Sequence, residues 1–182
     1  MVNDSFLELV RNSFLLGLGA ALISVILALF LGYGMRILPG KATIISVRTA
    51  SIGYAIPGTV IAVGVIIPFA WLDLRFDAFM KSSLGISSGL IFSGTLIAVM
   101  FAYVVRFLAI SLQSVESGLD KIKPSMDEAA RSLGCRARDT LFKIHIPLLK
   151  SSTLTALMIV FVDVMKELPA TLILRPFDFN TL

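Results

Sequence analysis

Charge is scarce in this chain. Asp, Glu, Lys and Arg make up 15% of its 182 residues, where a soluble domain carries about 25%. Apolar residues reach 57%, and that much apolar surface calls for a solvent other than water. Cysteine is nearly absent. Cys135 stands alone, which excludes an intrachain disulfide. The single histidine, His145, excludes a paired-histidine metal motif and sits at a position to which no role is assigned. No phosphate loop is present: Gly40-Lys41 is followed by Ala42 in place of Ser or Thr, and the upstream glycine is missing. No nucleophile stands with a base. The chain is therefore read as binding no ATP, needing no cofactor and catalysing no covalent step. The net charge of +4 does not form a nucleic-acid stripe, because the basic residues lie between apolar runs. Asp4 and Glu8 break up any basic leader, and a run long enough to span follows, so no cleavable signal peptide is expected.

What the chain has is long apolar runs. A hydrocarbon core about 30 Å thick needs roughly 20 apolar residues as helix. Four segments meet or approach that: 12–34, 49–71 with Pro57 inside it, 89–110 interrupted only by Arg106, and 148–167 with Asp163, Lys166 and Glu167 near its end. Nine Lys and Arg fall in the connections after the first and third spans, and four on the other side. Basic connections stay cytoplasmic, so the loop after the third span, including Cys135, is expected in the cytoplasm, with both chain ends outside. An outward start and the stop at Leu182 suggest a piece of a longer polytopic protein. Gly17 with Ala21 and Ala20 with Ser24 are spaced for close helix packing. Gly53, Pro57, Gly58 and Gly64 point to a kinked or irregular second span, for packing or for pore lining.

The cytoplasmic loop 113–147 has internal order. Ser125 and Glu128 are spaced as a capping box. Met126, Ala129, Ala130 and Leu133 fall on one helical face, Asp127 and Arg131 are placed to pair, and Gly134 suits a helix end. A second short helix, 136–144, is expected to stop before Pro147. Such a unit is either an interfacial helix lying on the bilayer or a docking element for a soluble partner.

Glu128-Ala129-Ala130, Gly134 four residues after Ala130, and Ile144-His145-Ile146-Pro147 resemble the EAA loop of binding-protein-dependent ABC importer permeases. Every spacing of that pattern is kept, and Ile146 stands where leucine is usual. The resemblance implies an all-α polytopic bundle of the type I permease kind in a bacterial inner membrane. It also implies that Glu128, Ala129, Ala130, Gly134, Ile144 and Pro147 form the contact with a separate ATP-binding subunit. Asp163 to Thr171, Arg175-Pro176-Phe177 and Gly53 to Thr59 look like the ferric-iron-type members. By the same resemblance the partners are that ATPase, a periplasmic or extracellular substrate-binding protein, further permease spans or a second permease copy, and the lipid bilayer. The chain is then one permease domain over 1–182, with spans missing before Met1 and after Leu182.

Charges within the spans are costly and carry separate expectations. Arg106, late in its span, is expected to snorkel to the cytoplasmic surface. Asp163 and Lys166 are spaced to pair, and Asp163 and Glu167 share a face. Asp163, Lys166 and Glu167 thus form either an outer gate of a translocation path attractive to a hard cation or a hydrogen-bonded cluster bracing a broken helix at Pro169. Two other classes stay open: an ion-coupled secondary transporter or channel using Asp163 and Glu167, and an inactive truncated remnant.

Overall fold

A computed structural model describes residues 2–176, with side chains described from Phe6 onward except at Ala137. Phe177 and the rest of the C-terminal stretch lie outside the described residues. Eight α-helices follow in order: α1 (Val2–Ile37), α2 (Lys41–Ile52), α3 (Gly58–Leu84), α4 (Leu96–Leu119), α5 (Pro124–Ser132), α6 (Ala137–Thr140), α7 (Ile146–Met165) and α8 (Leu168–Leu174). A 3-10 turn, Gly53–Ala55, lies between α2 and α3, and a π turn, Leu141–His145, joins α6 to α7. There is no strand among the described residues. Four stretches are long and apolar enough to cross a membrane: Phe6–Ile37, Gly58–Leu84, Leu96–Leu119 and Arg138–Met165. The multispan character expected from the apolar runs and the all-α class implied by the resemblance are what the described residues adopt.

The core is a triangle of α1, α4 and α7. On α1, Leu16, Ala20, Ala21, Ser24, Val25 and Ala28 are buried at helical spacing. In lipid, apolar burial drives little association, so close approach of small residues must do that work. Contacts fix the directions. A methyl group at Gly32 would meet Val115 and Leu119, and one at Gly19 would meet Met100, so α1 and α4 run parallel. One at Gly118 would meet Leu149 and Ser152, so α7 runs antiparallel to α4. The ends of α1 and α4 and the α5–α6 segment therefore gather at one basic end of the bundle.

The helices do not all fall where hydrophobicity placed them. The expected span 49–71 is broken in two. Proline lacks an N–H and keeps its predecessor out of the helical region; Ile56 is extended (φ −88°, ψ 132°) and α3 starts only at Gly58. The membrane-length helix is thus α3, which runs on to Leu84, well past Trp71. The expected span 89–110 shifts to Leu96–Leu119. Gly89 and Gly94 have φ of 65° and 67° and belong to a loop. Asp73, buried on α3, ties that loop down by accepting from the N–H groups of Ile91, Phe92 and Ser93 at 2.8–2.9 Å and from the Ser93 hydroxyl. The helix 136–144 does not stop before Pro147. It passes through the π turn into α7, with Pro147 in the first turn of α7, where a missing N–H costs least.

Candidate functional site

Two polar constellations stand out from the apolar bundle. The first lies at its basic end, around α5. Pro124 takes the first position of this helix, Lys123 is its N-cap, and no side chain caps it. The capping box expected from Ser125 and Glu128 is therefore not formed: proline at the start sets the boundary two residues earlier. The other end is as expected. Gly134 has φ 81°, its N–H reaches Arg131 O, and the Cys135 N–H reaches Ala130 O at 3.0 Å. That paired pattern is a Schellman close, for which glycine alone carries no Cβ penalty.

The stripe on α5 does not face the bundle. Ala130 is buried, while Glu128, Ala129 and Leu133 are exposed, Leu133 by 83%. Asp127 does not pair with the Arg131 side chain as its spacing suggested; Arg131 Nε donates instead to the Asp127 carbonyl at 3.3 Å. The Asp127 carboxylate is taken by partners remote in sequence. Arg36 donates to it from Nε and Nη2 at 3.0 and 2.8 Å, and His145 Nε2 lies 2.6 Å from its other oxygen. Arg36 also donates to Leu119 O and Ile122 O, both at 2.9 Å. His145 is 2% exposed, with its ring edge-on to Tyr33 at 5.4 Å. These groups, with Arg131, Thr140 and Ile37, line a cavity of about 190 Å³. Partial burial opposes the charge on Asp127, but the hydrogen bonds from Arg36 and His145 outweigh it and hold the carboxyl below its ordinary range. Of the residues implied for ATPase contact, Ile144 is half-buried and Pro147 is exposed in the first turn of α7.

The second constellation lies halfway along α4. Arg106 is ten residues from Leu96 and thirteen from Leu119, about 15 and 20 Å from the two helix ends. It does not snorkel, because its helix extends beyond the expected end at residue 110. Its Nη1 donates to Ile56 O at 2.8 Å, the carbonyl exposed by the break before α3. Its Nε stands 3.2 Å from Glu167 Oε2 in an ion pair without hydrogen-bond alignment. Glu167 is 8% exposed and also accepts from Ala170 N, at the start of α8. Tyr103 and Thr171 are bonded hydroxyl to hydroxyl beside it. Two interrupted helices, α2–α3 and α7–α8, are thus pinned to α4 by one guanidinium and one carboxylate. A Cβ on Gly58 would collide with Glu167 Oε1.

Asp163, Lys166 and Glu167 are not brought together. Lys166 is exposed, and no side-chain ion pair joins it to Asp163 among the described residues. Their link is the Lys166 N–H to Asp163 O at 3.2 Å. Sequence reasoning missed Arg36, the Asp127 carboxylate, His145 and the Arg106–Glu167 pair. A signal existed for the last: an Arg and a Glu of opposite sign, each within an apolar run, need a partner in lipid.

Comparison with known proteins agrees with this architecture. The profile of a family described as binding-protein-dependent transport system inner membrane component matches residues 24–175. Among curated proteins, a ferric transport system permease of Haemophilus influenzae (FbpB 1) is 33% identical over 125 residues, 69% of this chain and 17% of its own length. A second protein of that organism, named Fe(3+)-transport system permease protein FbpB 2, is 26% identical over 180 residues, 98% of this chain and 32% of its own length. The ferric transport system permease FbpB of Actinobacillus pleuropneumoniae is 33% identical over 125 residues, 69% of this chain and 16% of its own length. The chain thus spans no more than a third of the length of these relatives.

Proposed function

Because the chain belongs to the family of binding-protein-dependent transport system inner membrane components, we propose that it forms part of the permease of an ATP-driven importer for ferric iron. A separate ATPase docks on α5, a substrate-binding protein delivers cargo at the opposite end, and further spans complete the path. The ferric cargo rests on the names of the relatives. The need for further spans is supported by their greater length.

The observation that carries the docking reading is the presentation of α5. Its Glu128-Ala129 edge and Leu133 face outward, and its end is closed by the tight turn at Gly134. Small alanines allow close approach, and an exposed leucine beside them offers an apolar anchor. ATP-driven closure of the ATPase would then pull α5 and rock the spans. The ion-coupled alternative relied on Asp163 and Glu167. With Glu167 paired to Arg106, it loses one of its two carboxylates.

Copurification tests this. The chain is expected to retain its ATPase from membranes, and Glu128→Arg or Gly134→Asp to release it while insertion and yield stay normal. An ATPase that never copurifies with a stable, inserted wild type would sink the docking reading.

A further inference from the structure

Helix α5 is attached to the bundle in an unusual way. Ala130 is the one residue of it that is buried among the described residues, so apolar packing grips it at a single point. Its main tether is a carboxylate. Asp127 binds Arg36 in the last turn of α1 and His145 at the end of the π turn that leads into α7. Through Arg36 it also reaches Leu119 O, where α4 ends, and Ile122 O just beyond. The three helices that make the core triangle therefore meet at one side chain of the helix offered for docking.

The chemistry suits transmission of force. A guanidinium holds its donors in a fixed planar fork, so a bond made through two of them constrains direction as well as distance. Arg36 uses Nε and Nη2 on Asp127 and spends Nη1 and Nη2 on backbone carbonyls of a second element. The covalent links of α5 are weaker guides: a turn from Asp120 to Lys123 on one side and the glycine close on the other. The π turn under His145 is a further place where a helix can yield locally.

We propose that Asp127 and Arg36 form the positioning node that passes a displacement of α5 into α1, α4 and α7 together. In this role Asp127 sets how much span movement accompanies each ATP hydrolysed, and leaves ATPase binding to its neighbour Glu128. The inference rests on the docking reading above. It concerns the inward-facing side chain of α5, where docking concerns the outward-facing ones.

The test uses the complete importer with its ATPase and binding protein, reconstituted in vesicles, with ferric uptake and ATP hydrolysis measured in parallel. Asp127→Asn keeps the shape of the side chain and removes its charge. It is expected to retain the ATPase and its hydrolysis while uptake per ATP falls about 10-fold or more, the scale of a lost charge-assisted hydrogen bond. Arg36→Gln should do the same. The double variant should be no worse than either single one, since the two share one interaction. Uptake per ATP unchanged in Asp127→Asn, or strictly additive losses in the double variant, would overturn the proposal alone. So would release of the ATPase by Asp127→Asn to the extent seen with Glu128→Arg. A wild-type complex that fails to hold the ATPase overturns the docking reading and this inference with it.

Discussion

Arg106 and Glu167 are each costly where they stand. Taking either out of water is repaid only by the other and by the groups around them: Ile56 O for the guanidinium and Ala170 N for the carboxylate. That arithmetic makes the two positions strongly non-additive. Glu167→Ala leaves a half-buried guanidinium beside Phe107, within a span, without a counter-charge, a loss of about 3 kcal/mol. Arg106→Met together with Glu167→Leu removes both charges. It loses the charge-assisted bond to Ile56 O, about 2 kcal/mol, and should be more stable than Glu167→Ala. Unfolding in detergent micelles, followed by circular dichroism, measures this directly. Equal or additive losses would show the pair to be no mutual dependency. The same crowding explains Gly58: any side chain there must displace the carboxylate, so its small size belongs to the ion pair more than to the helix.

At the scale of elements, the legible parts were those governed by local rules and the illegible parts those governed by distant partners. The glycine close of α5 is a backbone requirement, and Gly134 announced it. Pro57 announced an irregularity, but hydropathy could not say that the chain would break there outright and make α3 the long helix. Hydropathy alone extends the third span back to Gly89, because many residues of the loop between α3 and α4 are apolar. Its order comes from two carboxylates of α3: Asp73, some twenty residues away, accepts from the N–H groups of residues 91–93, and Asp77 accepts from the Ser87 hydroxyl and the Ser88 N–H. Asp73→Ala should therefore free the stretch 89–95, leaving residues 87 and 88 on Asp77 and α3 and α4 in place. Amide exchange in that stretch is expected to rise by about 10-fold or more, the scale of one charged hydrogen bond lost per donor. Exchange in α1 and α7 should be unaltered. Slow exchange persisting at residues 91–93 would mean that the positive-φ glycines, Asp77 and the loop's own packing hold it without the Asp73 carboxylate.

Considered as a whole, the molecule has two ends of different character joined by a small-residue seam. Composition foretold four spans but misplaced the second and third, and the arrangement of Lys and Arg foretold which connections keep together. The structure adds why they do so: Arg36 at the end of α1 is bonded to the end of α4 and to α5, so these segments must share one side of the membrane. Periodicity cannot supply pairing across α1, α5 and α7, because a spacing rule sees only neighbours on one helix; spacing offers Asp127 the side chain of Arg131, and the fold gives it Arg36. The sidedness itself can be checked with the chain's single thiol. Cys135 is free and half-buried next to the glycine close of α5. With basic connections inside, a membrane-impermeant maleimide should leave Cys135 unlabelled in intact cells and label it after permeabilisation. Ser83→Cys in a Cys135→Ser background, exposed at the far end of α3, should label without permeabilisation. If α5 is the docking helix, adding the ATPase to permeabilised membranes should also slow labelling of Cys135, since the helix end it follows becomes covered. Labelling of Cys135 in intact cells would invert the topology and put α5 out of reach of any cytoplasmic ATPase. Inside labelling without protection by the ATPase would keep the topology and count against docking at this end of α5.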